Sequence, residues 1–125
     1  MRYLGGKSRI AREIAEILSN CGGGAFISLF CGSCAIESKV KGFDRMILND
    51  KHKYLIALLK AVQQGYDPPD VVTEEEYAAI KANKDTDPAL TGFVGFGCSF
   101  GGKFFGSYAR NAENTNYAAQ SKRSL

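Results

Sequence analysis

Two apolar runs that break off abruptly constrain this chain more than anything else in it. Ala25-Phe26-Ile27-Ser28-Leu29-Phe30 ends in the small-residue segment Cys31-Gly32-Ser33-Cys34, and Met46-Ile47-Leu48 ends in Asn49-Asp50. Short apolar runs bounded by turn residues are the pattern of strands buried in a parallel sheet. A strand that opens into a small-residue turn, followed about 20 residues on by a strand ending in a carboxylate, is how a Rossmann-like sheet holds a nucleoside. The turn admits the ligand, and the acid accepts hydrogen bonds from the ribose hydroxyls.

At 125 residues the chain is within the size of one domain, and roughly two thirds of its unfolded surface can be buried. No 18-residue apolar run and no signal-peptide pattern occurs, so a cytoplasmic protein without a membrane span is expected. The net charge of +3 permits nucleic-acid binding without arguing for it. Of the four cysteines, only Cys31 and Cys34 have the two-residue spacing of zinc and redox pairs. There is no second such pair, and His52 is the only histidine, so no metal site is expected; the two cysteines read as small side chains lining a turn in a reducing compartment.

Ile10, Ile14, Ile17 and Leu18 recur at helical spacing, with Ser8 as N-cap and Gly22-Gly23-Gly24 as the stop. After a strand over 25–30, Ala35, Ile36 and Val40 predict a second helix ending near Gly42, then a strand over 45–49, completing a βαβ unit. Leu55, Ile56, Leu58, Leu59 and Val62 predict a third helix over about 52–64, closed by Gly65. Asp67-Pro68-Pro69-Asp70 reads as a rigid connector. Thr73 with Glu76 makes a capping box for a helix to about 83, and Asp87-Pro88 opens another carrying Leu90, Phe93, Val94 and Phe96. Gly92, Gly95 and Gly97 weaken that helix by about 1 kcal/mol each relative to alanine, which points to close packing rather than intrinsic stability. Residues 99–111 read as a glycine- and aromatic-rich loop, followed by a polar stretch with some helical character.

Only two convincing strands emerge, where a doubly wound sheet normally has about five or more. The last residues, Lys122-Arg123-Ser124-Leu125, carry no helix stop. The expectation is a piece of a longer protein, or a chain that completes its sheet with another copy. Near the start, Gly5-Gly6-Lys7-Ser8 imitates the end of a phosphate-binding P-loop, but the motif's first glycine would fall at Met1, with no room for the preceding strand.

Tyr3-Leu4-Gly5-Gly6-Lys7, then Phe30-Cys31-Gly32-Ser33, then Leu48-Asn49-Asp50 together resemble the Dam-type, phage-like DNA adenine-N6 methyltransferases. Members open with an aromatic-x-Gly-Gly-Lys segment, continue with a Phe-x-Gly-x-Gly-like turn and place an acid at the end of the second strand. The likeness runs from residue 2 to about 64. It extends more loosely through Ser99-Phe100-Gly101-Gly102-Lys103-Phe104-Phe105-Gly106-Ser107-Tyr108-Ala109-Arg110, which is similar to the approach to the family's DNA-recognition region.

The resemblance implies an α/β, incomplete Rossmann-like S-adenosylmethionine-dependent methyltransferase fold with a mostly helical C-terminal part. Residues 1–66 would be the cofactor-binding half, and 67–125 a helical segment and the start of the DNA-recognition region. It implies S-adenosylmethionine as cofactor, held by Tyr3, Gly6, Lys7, Phe30, Gly32, Ser33 and Asp50, and double-stranded DNA as partner of the parent protein, as in restriction-modification systems. Lys103 and Arg110 would meet phosphates, and Phe104, Phe105 and Tyr108 would wedge or stack. The alternative for this loop is that its aromatics are simply buried. Two departures stand out. Cys34 replaces the second turn glycine, which would narrow the pocket. The catalytic Asp-Pro-Pro-Tyr motif is absent, since Asp67-Pro68-Pro69-Asp70 lacks the aromatic and follows a helix. No catalytic residue is therefore assigned, and these 125 residues are expected to be inactive alone. Two other classes compete: a non-catalytic nucleotide- or DNA-binding module that self-associates, and a dinucleotide-binding oxidoreductase domain, disfavoured because Gly-x-Gly-x-x-Gly does not follow the first strand.

Overall fold

Strands β1 (Gly23–Ser28) and β2 (Phe43–Leu48) run parallel, with Ala25 opposite Arg45, Ile27 opposite Ile47 and Ser28 opposite Leu48. The structure, a computed structural model, describes residues 1–125. Backbone pairing continues beyond the strands, since the Asn49 N–H donates to the Ser28 carbonyl at 2.8 Å and the Cys31 N–H to the Asn49 carbonyl at 2.9 Å. The two expected strands are thus present, each displaced about two residues toward the N-terminus. They make a two-stranded sheet, short of the complete doubly wound sheet that the motifs suggest.

Helix α1 (Ala11–Cys21) precedes β1 and buries Ala11 and Ala15. It begins three residues after Ser8 and has no side-chain cap; the Ile10 N–H instead bonds the Lys7 carbonyl at 3.1 Å, so residues 7–10 form a turn that takes up the predicted first helical residues. Gly22 ends α1 with φ of 59° and leads straight into β1. The helix expected near 35–42 is reduced to a single 3-10 turn, Glu37–Lys39. Left-handed backbone at Cys34 (φ 57°) and Gly42 (φ 83°) bounds it on either side. Residues 29–42 are also little more than the dozen or so that any parallel crossover requires.

The chain divides into two compact units, Gly5–Lys51 and Met1–Leu4 with His52–Leu125. The first contains α1 and the sheet. The second is helical, and α2 (Lys53–Gln63), which the sequence placed with the first half, packs there against α4 (Pro88–Gly97). Gly65, with φ of 90°, turns the chain out of α2. Helix α3 (Glu74–Ala82) has the predicted capping box: Thr73 Oγ1 accepts from the Glu76 N–H at 3.2 Å, and Glu76 Oε2 accepts from the Thr73 N–H at 2.7 Å. Asp87 caps α4 by accepting from the Leu90 N–H at 3.0 Å. The short α5 (Tyr117–Lys122) is capped by Asn116, whose side-chain oxygen accepts from the Ala119 N–H at 3.0 Å. Leu58, Val72, Tyr77, Phe93, Val94, Cys98, Phe105 and Ala118 form the core of this unit. No helix is long and apolar enough to cross a membrane.

The glycines of α4 are there for contact. A Cβ at Gly92 would collide with the Tyr54 carbonyl of α2, one at Gly95 with the Phe104 ring, and one at Gly97 would lie 2.9 Å from the Ser121 Cβ of α5. Each admits a neighbour closer than alanine allows, which offsets the lost helix propensity. Replacing Gly92 with alanine should therefore destabilise the helical unit by about 1–3 kcal/mol through overpacking, read as a fall in the urea midpoint. Gly24→Ala, at a position with open space beside it, should not; equal effects at the two sites would remove the close-packing explanation.

Candidate functional site

At the sheet tips the sequence motifs come together. The Gly32 N–H donates to Asp50 Oδ2 at 2.9 Å, so the carboxylate ending the second strand closes the turn that follows the first. Gly32 is left-handed, with φ of 51°, a conformation open to glycine at little cost. Cys34, standing where the resemblance expects the second glycine, has φ of 57° and so keeps a glycine-like backbone with a side chain attached. Gly32, Ser33 and Asp50 are half-buried. Phe30 is 84% exposed at the end of β1, an apolar ring uncovered beside the turn.

Behind the turn stands a residue that the sequence reading missed. Glu37 is buried and accepts a hydrogen bond from Ser28 Oγ at 2.7 Å, tying the 3-10 turn to β1. A lone acid among Ala35, Ile36 and Val40 was the available signal, since buried carboxylates are held by a partner. Cys31 is buried and Cys34 half-buried, and the Cys34 thiol donates to the Gly32 carbonyl at 4.0 Å. Burial pushes both thiols up, Cys34 to about 12, with Glu37 and Asp50 adding like-charge repulsion.

The opening segment is split between the two units. Gly6 and Lys7 belong with the sheet, where Lys7 Nζ donates to the Gly5 carbonyl at 2.7 Å and both residues are exposed. Tyr3 belongs to the helical unit, its ring 5.1 Å from that of Phe96. There the segment runs over Gly102, whose carbonyl accepts from the Leu4 N–H at 3.1 Å and where a Cβ would lie 2.6 Å from the Tyr3 nitrogen.

In the loop at 99–110 two aromatics pack inward while Phe100 stays exposed. Phe105 is buried against Tyr77, Phe104 is half-buried among His52, Tyr54 and Phe96, and the Tyr108 hydroxyl donates to the Val72 carbonyl at 2.7 Å. Tyr108, expected at DNA from the sequence, is half-buried with its ring 5.5 Å from that of Tyr77. Lys103 and Arg110 remain exposed, and Arg110 pairs with Glu74 at 2.8 Å. A cavity of about 230 Å³ beside this loop is lined by Val72, Cys98, Tyr108, Asn116 and Tyr117. Its polar groups are largely spent internally, with the Asn116 amide donating to the Asp70 carbonyl at 2.9 Å. The connector carboxylates of Asp67 and Asp70 both hold Lys122 Nζ, at 2.8 and 3.2 Å. No cluster of three or more histidine, cysteine or acidic side chains is placed to hold a metal ion.

The backbone at Cys34 generates a direct test. Cys34→Gly should be about 1 kcal/mol more stable than Cys34→Ala in denaturant unfolding, because only glycine adopts this φ without strain. Equal stabilities would mean that the turn does not hold residue 34 in the left-handed region.

Nothing among curated proteins or solved structures matches the chain. A family model does, over residues 3–91, and it is described as D12 class N6 adenine-specific DNA methyltransferase. The match takes in the Gly-Gly-Lys segment, the turn after β1 and the acid after β2, in the order in which the structure assembles the last two at one sheet tip. The chain belongs to the D12 class of N6 adenine-specific DNA methyltransferases.

Proposed function

We propose that these residues are the cofactor-holding part of an S-adenosylmethionine-dependent enzyme that methylates N6 of adenine in DNA. The observation that carries this reading is the Gly32–Asp50 hydrogen bond at the tips of two parallel strands. It sets a small-residue turn and a carboxylate side by side, as a nucleoside with two vicinal hydroxyls requires.

The residues present fit such a group. Asp50 would accept from the ribose hydroxyls, a charge-assisted contact worth about 1.5–3 kcal/mol. Gly32 and Ser33 present backbone without bulk, Phe30 offers an apolar wall, and Gly6 and Lys7 would close the site, the lysine near the ligand's carboxylate. When bound, the cofactor supplies the sulfonium methyl group that is transferred. The acceptor amine must be presented by a base turned out of the duplex and held by side chains. This sequence contains no Asp-Pro-Pro-aromatic motif for that task, and the carboxylates of Asp67 and Asp70 are engaged with Lys122. The 125 residues by themselves are therefore predicted to bind cofactor without transferring its methyl group.

Calorimetry with S-adenosylmethionine and, separately, with a nicotinamide dinucleotide tests this reading. Heat is expected with the first, weakened at least tenfold by Asp50→Asn; a response to the dinucleotide alone would reverse the assignment. For DNA, Lys103 and Arg110 are the proposed phosphate contacts. Replacing both with alanine should reduce the slope of log affinity against log salt by about 2, and an unchanged slope would take the loop out of the interface.

A further inference from the structure

Cys31 and Cys34 stand at the two ends of the turn after β1, and the geometry between them is that of a pair. The Cys34 N–H donates to the Cys31 carbonyl at 2.8 Å, so residues 31–34 close a hydrogen-bonded β-turn, whose first and last Cα atoms lie within about 7 Å. That range overlaps the roughly 4.4–6.8 Å over which a disulfide forms without moving the backbone. The Cys34 thiol reaches back over the turn, donating to the Gly32 carbonyl at 4.0 Å, and the two thiols are near enough to act on each other electrostatically. Of the other two cysteines, Cys21 is exposed at the end of α1, and Cys98 is buried in the helical unit. The charged groups acting on the pair are Glu37 and Asp50, both acidic. They disfavour a thiolate at either sulfur, whereas a disulfide carries no charge and escapes that repulsion.

We propose that Cys31 and Cys34 form a reversible disulfide across the turn, switching it between a reduced form that accepts cofactor and a locked form that does not. The oxidant is a small-molecule disulfide such as oxidised glutathione. The half-buried Cys34 loses its proton and attacks one sulfur of that disulfide, releasing the first thiolate; Cys31 then loses its proton and attacks Cys34 Sγ, releasing the second. Two cysteine thiols give up two electrons and two protons, and one external disulfide becomes two thiols. Closure draws the sulfurs to about 2.05 Å across Gly32 and Ser33. Closure thereby fixes the turn that carries the Gly32 N–H bonded to Asp50, so that it can no longer adjust to an entering ligand. The effect on cofactor rests on the proposed function, whereas formation of the disulfide does not.

The full chain carrying Cys21→Ser, equilibrated in reduced and oxidised glutathione buffers, provides the test. Digestion after thiol blocking should yield the peptide spanning residues 31 and 34 two hydrogens lighter in the oxidised sample, and Cys34→Ser should abolish that product. Below the raised thiol pKa values, closure should accelerate about tenfold per pH unit between pH 7 and 9, following the thiolate fraction. In calorimetry, affinity for S-adenosylmethionine should fall at least tenfold on oxidation and return with dithiothreitol, while Cys34→Ser should show no such dependence. A glutathione adduct that never closes, or two free thiols in the oxidised buffer, would overturn the pair. A disulfide that leaves affinity unchanged would overturn the switch. If the reduced chain shows no affinity for S-adenosylmethionine, the functional reading fails, while the peptide mass still decides the chemistry of the pair.

Discussion

The hydrogen bond from the Gly32 N–H to the Asp50 carboxylate, 2.9 Å long, joins two strand tips. It is made possible by parallel register, since Ser28 opposite Leu48 leaves both chains to turn at the same level. The same bond aligns the turn for which Cys34 accepts a left-handed backbone. Glu37 supports the arrangement from behind through Ser28, which places a second carboxylate near the turn without presenting it to a ligand.

The helical unit is organised by different physics. Its centre is a buried helix made slender by three glycines, against which α2, α5 and the aromatic loop approach more closely than side chains would permit. Tyr77 Oη and Ser99 Oγ share a hydrogen bond of 2.8 Å inside it, so its few buried hydroxyls are satisfied. The chain termini meet here too, with the Met1 ammonium bonded to Ser124. Lys103 and Arg110 remain exposed on the loop together with Phe100, while Phe104 and Phe105 turn inward.

What the sequence made legible was local chemistry. Thr73 with Glu76, and Asp87 with the Leu90 N–H, each act across three residues, so side chain and backbone partner are visible together. The strand tips were legible because an apolar run ending in small or acidic residues has few other uses. The crossover was not, because Ala35, Ile36 and Val40 have helical spacing whether or not the chain between two left-handed residues has room for a helix. Lys122 between Asp67 and Asp70 spans too much sequence for any periodicity to reveal. The burial of Phe104 and Phe105 was equally hidden, since an aromatic that packs and one that stacks on a base look alike until Gly95 is seen to receive them.

Backbone amide shifts during a titration with S-adenosylmethionine, followed on the isotopically labelled chain under reducing conditions, interrogate the sheet tips most directly. The largest changes should fall on Gly32, Ser33 and Asp50, with the Gly32 amide moving as its carboxylate partner takes up the ribose. Shifts confined to the helical unit, or none at saturating cofactor, would contradict the assignment of this turn and this carboxylate as the cofactor grip.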